Sequence, residues 1–179
     1  MSTTDAPEID PSTEIRLRPL GVVRTPFNTP EGTPIQPPGG AEAEGEIVLF
    51  PEYAPGLADL DGFSHLILLY HCHKCGPPPA GLKVTPFLDQ TERGLFATRA
   101  PSRPNPVGLS IVRLVSVEGN RIRIREVDIV DGTPLIDVKP YVPKFDRREN
   151  VRTGWLETRA DATETAADDG RFSGGGTGG

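Results

Sequence analysis

The stretch that decides the fold is Leu109-Ser-Ile-Val-Arg-Leu-Val-Ser-Val117, then Glu118-Gly-Asn120, then Arg121-Ile-Arg-Ile-Arg-Glu-Val-Asp-Ile-Val130. Two runs rich in β-branched residues flank a turn signal, which reads as a β-hairpin. In the second run Ile122 and Ile124 alternate with Arg121, Arg123 and Arg125. Period-two alternation sends the isoleucines to one face and the arginines to the other. Helices do not tolerate that period.

Working outward, the same reading gives further strands. Leu17 to Thr25 forms a first strand, ended by Pro26, and residues 29–40 form a long loop with four prolines and three glycines. Ala43 to Phe50 is a second strand, and residues 51–60 hold one short helix. Phe63 to Cys72 is a buried strand, Gly94 to Arg99 a short one, and Leu135 to Val138 the last. Twenty prolines and twenty glycines in 179 residues argue for many turns and few helices. The fold class is therefore mainly β: one antiparallel barrel or sandwich with few short helices. Residues 15–159 form that domain. Residues 1–14 read as a disordered arm and residues 160–179 as a disordered, acidic and glycine-rich tail.

The net charge is −6, but the acids concentrate in the two tails. The body is close to neutral, and within it residues 93–125 carry seven arginines and one acid. A local basic segment in a neutral domain suits a phosphate or another anionic ligand. It does not suit a protein that coats polyanions. With only Cys72 and Cys75 there is no disulfide framework. The first residues lack a secretory pattern. The longest apolar run, Leu66 to Tyr70, is too short to span a bilayer. The expectation is a cytoplasmic protein with no membrane partner.

Between the strands lies Phe96-Ala-Thr-Arg-Ala-Pro-Ser-Arg-Pro-Asn-Pro-Val-Gly-Leu-Ser110. Pro101, Pro104 and Pro106 make it a stiff, non-helical connector. A stiff connector carrying Arg99, Arg103 and Asn105 is either a preorganised polar site or a surface turn. Asp128 to Tyr141 is a second polar cluster, with a tight turn at Asp131-Gly132 and with Asp137 and Lys139 two apart on one side of an extended segment. A third is Asp59 to His65, where His65 could orient a ligand or act as a base. The segment His71-Cys-His-Lys-Cys75 offers one Cys-x-x-Cys pair and no second, so no metal is expected. A phosphate-binding loop, a Rossmann glycine motif and a Gly-x-Ser-x-Gly elbow are all missing from the sequence.

Asp61-Gly-Phe-Ser-His65, Thr98-Arg-Ala-Pro-Ser-Arg-Pro-Asn-Pro-Val-Gly-Leu-Ser110 and Asp131-Gly-Thr-Pro-Leu-Ile-Asp-Val-Lys-Pro-Tyr141, with Leu20 to Phe27 and Gln36-Pro37, together resemble the TsaA-like family. Its characterised members are the TrmO tRNA methyltransferases. The resemblance covers residues 16–145. It implies a β-barrel unlike Rossmann methyltransferases, a homodimer, and S-adenosylmethionine bound near the subunit interface. It also implies methyl transfer to N6 of threonylcarbamoyladenosine, the modified adenosine at tRNA position 37. Carried over by motif, Arg99, Arg103, Asn105 and Pro106 line the cofactor or acceptor pocket. Asp131, Gly132, Thr133 and Lys139 form its other wall, with Gln36 on the substrate side. Asp137 and His65 are the candidate bases. Longer bacterial members carry a further small domain after the barrel. Without it, the RNA grip is expected from Arg121, Arg123 and Arg125, with Arg147 and Arg148. The competing readings are a methyltransferase of the same fold acting on a small metabolite or protein, and a non-catalytic S-adenosylmethionine-binding module.

Overall fold

The alternation seen in the sequence is realised in a closed antiparallel barrel. The structure, a computed structural model, describes residue 10 and residues 12–174. Its strands in chain order are β1 (Gly21–Arg24), β2 (Glu44–Leu49), β3 (His65–His71), β4 (Lys83–Val84), β5 (Arg93–Gly94), β6 (Val107–Glu118), β7 (Arg121–Arg125) and β8 (Thr133–Pro140). Around the barrel the order is β1-β2-β7-β6-β3-β8, with β8 pairing back to β1. Closure leaves no open sheet edge. β4 and β5 pair outside it. One α-helical turn, α1 (Pro143–Asp146), and several 3₁₀ turns complete the elements. The barrel expectation holds.

Inward side chains fill the barrel. Val23, Ile47, Leu66, Leu68, Val112 and Ile122 are each fully buried. Burying one such side chain contributes on the order of 1.5–3 kcal/mol, so this interior is the main source of stability. On β7, Ile122 and Ile124 are buried while Arg121, Arg123 and Arg125 are exposed, as the alternation requires. The hairpin turns at Gly119, whose φ of 60° favours glycine. Asn120 Nδ2 then donates to the Leu49 carbonyl at 2.6 Å and fixes the hairpin against β2.

Three expectations are corrected. The first strand begins at Gly21, not Leu17, because ladder pairing with β2 and β8 starts there, with Leu20 before it bonded to the Leu135 carbonyl and the Phe50 N–H. The short strand expected at Gly94 to Arg99 is the two-residue β5 followed by a 3₁₀ turn, Leu95–Ala97. The tail expected to be unstructured from residue 160 instead runs back across the loops. Asp168 N–H donates to the Thr33 carbonyl and Gly76 N–H to the Phe172 carbonyl. Phe172 packs on Val84, Leu95 and Ala100 and meets the Phe87 ring edge-on at 5.0 Å. One aromatic side chain with an apolar cluster to cover offsets ordering entropy that average composition does not reveal. Most of the arm expected over residues 1–14, and residues 175–179, lie outside the described residues.

Candidate functional site

At the end of the barrel where β3 runs out and β6 begins, loops enclose a cavity of about 790 Å³. That volume is in the range of small-molecule sites. Four segments build it: the loop before β2, the turn after β3, the proline-rich connector before β6, and the chain between β7 and β8. The folded-back tail closes the side with Asp168 and Phe172, and Trp155 stands at its rim.

The connector performs as its prolines predict. Pro106 carbonyl accepts from Cys72 N–H at 2.8 Å, which locks the connector to the end of β3. Arg103 Nη1 donates to the carbonyls of Thr98 at 3.0 Å and Ala100 at 3.3 Å, and its guanidinium lies over the Phe96 ring. Arg99 Nη1 donates to Gln36 Oε1 at 2.7 Å. The loop at residue 36 and the connector are thus joined across 63 residues of sequence. Both arginines line the cavity. Phe96 stands 71% exposed at its rim.

The opposite wall is a short polar chain. Tyr70, the end of the apolar strand β3, bonds Ser110 Oγ at 3.0 Å, and Ser110 Oγ donates to Asp128 Oδ1 at 2.6 Å. Tyr70 has its place because residue 108, directly opposite, is glycine. A Cβ there would lie 2.2 Å from the ring. Burial pushes the Asp128 carboxyl up to about 7, against the Ser110 hydrogen bond and the Arg99 charge, which pull it down. Burial and the Asp128 charge raise the Tyr70 phenol well above its ordinary value. Burial also pushes the Cys72 thiol up to about 12 and raises Cys75. Both thiols therefore stay protonated at neutral pH, which does not suit an activated nucleophile. Among the described residues no three His, Cys, Asp or Glu side chains gather as metal ligands.

Thr133 lines the cavity, with Oγ1 donating to the Val130 carbonyl at 2.6 Å and 3.3 Å from His73 Nδ1. Of the residues singled out in the sequence, Gln36, Arg99, Arg103 and Thr133 come together here. The others do not. Asn105 is exposed outside the cavity and Pro106 acts through its carbonyl. Asp131 holds a turn: its carboxylate accepts from Thr25 N–H at 3.0 Å and pairs with Arg24, while Gly132 takes φ 77°.

Asp137 pairs with Lys139 at 2.6 Å and stands opposite Leu69. Cross-strand partners share a face, and Leu69 stands in turn opposite Leu109, an exposed residue. Asp137 therefore points to the outer face of the barrel, and it is not among the residues that line the cavity. His65 begins β3, whereas the cavity lies beyond its last residues, about 20 Å away at 3.3 Å per residue. There it bonds Ser64 Oγ and stacks edge-on with Tyr141. Neither candidate base reaches the cavity. Arg121 and Arg125 pair with Glu46 and Glu44 on the outer barrel face, and Arg123 stands exposed beside them.

Sequence reasoning missed Asp128 as a site residue, though its segment was conspicuous. Alternation along β7 places residues 122 and 124 inward, yet the buried residues that follow are Val127 and Ile129. The phase changes at Glu126, which takes φ 63°, an uncommon conformation for a non-glycine residue. Glu126 is held there by Arg113 at 2.9 Å. Trp155 and Phe172 were missed because they lie beyond the last strand.

Comparison with known proteins follows this geometry. Residues 22–147 match the family model of the tRNA-methyltransferase O N-terminal domain. A Pyrococcus abyssi protein named a probable S-adenosyl-L-methionine-binding protein is 54% identical over 158 residues, 88% of this chain and 85% of that protein. The human tRNA (adenine(37)-N6)-methyltransferase is 36% identical over 140 residues, 74% of this chain and 31% of that protein. The crystal structure of TrmO from Pseudomonas aeruginosa matches with a TM-score of 0.67 and 34% identity, over 79% of this chain and 62% of that one. The chain thus spans less than two thirds of the solved TrmO and under a third of the human enzyme.

Proposed function

We propose that this chain, which belongs to the tRNA-methyltransferase O N-terminal domain family, is an S-adenosylmethionine-dependent methyltransferase that acts on N6 of the adenosine at tRNA position 37. The preferred acceptor is the threonylcarbamoyl form of that adenosine. The observation that carries this reading is the meeting of Gln36, Arg99, Arg103 and Thr133 in one cavity of about 790 Å³.

The cavity's residues fit the cofactor. Arg99 and Arg103 are held by Gln36 and by backbone carbonyls, so their charges are aimed before a ligand arrives. They suit the carboxylate of a bound amino acid. Phe96, Tyr70 and Trp155 offer aromatic faces to an adenine ring or to a sulfonium. When bound, S-adenosylmethionine supplies an electrophilic methyl group. The chain's part is alignment and exclusion of water, more than covalent chemistry. The prolines of the connector and the folded-back tail serve both by keeping the walls of the cavity fixed.

Two further elements complete the proposal. The outer face of β3 and β6 carries Val107, Leu109 and Ile111, which are 36–47% exposed, with Ile67 and Leu69 opposite Ile111 and Leu109. Val107 and Leu109 also line the cavity. An apolar patch continuous with a ligand site suits a second copy of this chain, so the working form is a homodimer. Sedimentation should give a dimer for the wild type and a monomer for Ile111→Arg. A dimeric wild type that survives the substitution places the interface elsewhere. The compartment proposed is the cytoplasm. Among the described residues no helix is long and apolar enough to cross a membrane.

The deciding experiment offers methyl-labelled S-adenosylmethionine with two tRNA pools, one carrying threonylcarbamoyladenosine and one lacking it. Label is expected in the first pool alone. Label in neither pool, with S-adenosylmethionine bound in calorimetry, would make the chain a cofactor-binding module or direct it to another acceptor.

A further inference from the structure

We propose that Asp128 receives the proton displaced from the acceptor nitrogen, held in position by the Ser110–Tyr70 chain behind it. This rests on the methyltransferase reading above. N6 of the acceptor carries a hydrogen, and a nitrogen that gains a methyl group becomes cationic unless that hydrogen leaves. As the N–CH₃ bond forms, the methyl–sulfur pair departs with sulfur. The N6–H bond then breaks, its electrons remain on nitrogen, and the proton passes to a carboxylate oxygen of Asp128. No oxidant or further reactant is needed.

The geometry singles out this residue. Asp128 lines the cavity together with Arg99, while Asp137 and His65 lie outside it. Oδ1 is occupied by the Ser110 hydroxyl at 2.6 Å. Ser110 is 1% exposed, and its oxygen is in turn 3.0 Å from the Tyr70 hydroxyl. Ser110 can donate to the carboxylate only if Tyr70 donates to Ser110, so the chain has one direction and holds the carboxylate in one orientation.

The groups facing Asp128 come from every segment around it: Tyr70 from β3, Cys72 from the turn after it, and Arg99 from the connector. The phenol and the thiol, both raised, stay neutral through neutral pH. His73, also in the cavity, is held below the usual histidine range by burial and by the neighbouring charges of Lys74 and His71. Asp128 is therefore a cavity carboxyl that changes charge near pH 7; Asp168, on the tail side of the same cavity, is also raised by burial, so the Asp128→Asn variant is what assigns the titration. A general base works best with its pKa near the operating pH.

The test uses the full chain in three forms: wild type, Asp128→Asn and Ser110→Ala. Asparagine keeps an acceptor for Ser110 and cannot take the proton. Wild-type turnover should rise with pH through about 7, as the carboxyl ionises. Asp128→Asn should lose about 100-fold in turnover and lose that rise, with S-adenosylmethionine binding kept in calorimetry. Ser110→Ala removes a hydrogen bond that favours the ionised form, so the rise should move to higher pH. A readout without ligand accompanies these. In ¹³C-labelled aspartate spectra of the free chain, one carboxyl should titrate near neutrality, vanish in Asp128→Asn and move upward in Ser110→Ala. A wild type that labels no tRNA overturns the tRNA methyltransferase reading and this assignment with it. A wild type that labels tRNA, beside an Asp128→Asn variant within twofold of it and with the same pH rise, overturns Asp128 alone. Lost cofactor binding with the pH rise intact would make Asp128 a cofactor contact and overturn its role as base.

Discussion

Two sets of arginines on this chain look alike in sequence and differ in what surrounds them. Arg121, Arg123 and Arg125 alternate along β7 on the outer face of the barrel. Two of them spend their charge on glutamates of β2, Arg121 on Glu46 and Arg125 on Glu44. Arg99 and Arg103 sit on a proline-stiffened connector, held by a neutral amide and by carbonyls. Among the described residues neither is in a salt bridge, and only the more distant Asp128 carboxyl acts on Arg99, so their positive charge remains available to an anion. The basic character of residues 93–125 is therefore two features. One braces strands; the other faces a cavity. The difference teaches that local charge in a sequence identifies a ligand site only when the partners of that charge are known.

The comparison breaks most sharply at Arg99. Arg99→Ala should lower kcat/KM for S-adenosylmethionine by about 10–100-fold, the loss of a hydrogen bond to a charged group. Steady-state kinetics and calorimetry of the folded variant check it. Arg99→Lys should restore only part of the loss, since an ammonium cannot match a guanidinium fork. A variant with unchanged kinetics would put Arg99 in the same class as the β7 arginines.

The second test concerns what keeps the cavity side rigid, since it lacks the barrel's hydrogen-bonded closure. Phe172→Ala removes the ring that covers Val84, Leu95 and Ala100. Full loss of a buried phenylalanine costs about 3–5 kcal/mol; Phe172 is only partly buried, so about 2 kcal/mol is expected. Thermal denaturation should show a lower Tm, and hydrogen exchange should show faster opening around residues 84–102 with the barrel strands unchanged. An equal loss of protection everywhere would mean that tail, loops and barrel unfold as one unit. Asp89 supports the same side. Burial opposes its charge, but Arg93, Thr91, Gln90 and Arg159 outweigh that and hold its carboxyl well below the usual range.

How much of this was legible follows the same division. The barrel strands were readable because burial alternates with period two: Ile122 and Ile124 against Arg121, Arg123 and Arg125. The connector was readable because prolines restrict it whatever its neighbours do. Gln36, Arg99, Arg103 and Thr133 lie on segments that the fold brings to one cavity. Asp131 and Gly132 belong to a turn whose hydrogen bonds to Thr25 and Val23 cannot be seen in one segment. Asp137 and His65 depend on which face and which end of a strand they occupy, and that is fixed by the pairing of β3 with β8 and β6. Asp128 was hidden by the single left-handed residue at Glu126. The tail was hidden because Phe172 is one aromatic in a stretch of small and polar residues. What escapes a sequence reading here is long-range partnership.

The smallest expected effect lies on β7. Arg121 and Arg125 remain about half exposed despite their partners, with side chains 54% and 52% accessible. Exposed ion pairs contribute about 0–1 kcal/mol. Arg121→Ala and Arg125→Ala should therefore each change stability by less than about 1 kcal/mol in chemical denaturation. Their effect on RNA should also be small. A phosphate that takes Arg121 or Arg125 must displace a glutamate 2.5–2.7 Å away, and the two new charges nearly cancel the counterion gain. If this face does not grip tRNA, the slope of log affinity against log salt should be the same for the double variant and the wild type. Each arginine that truly contacts a phosphate would instead flatten that slope by about 1. A flattening of about 2 would return this face to the tRNA interface and erase the distinction between the two arginine sets. An unchanged slope leaves the positive charge around the cavity as the better candidate for RNA contact, where among the described residues Arg99 and Arg103 have no salt bridge to break.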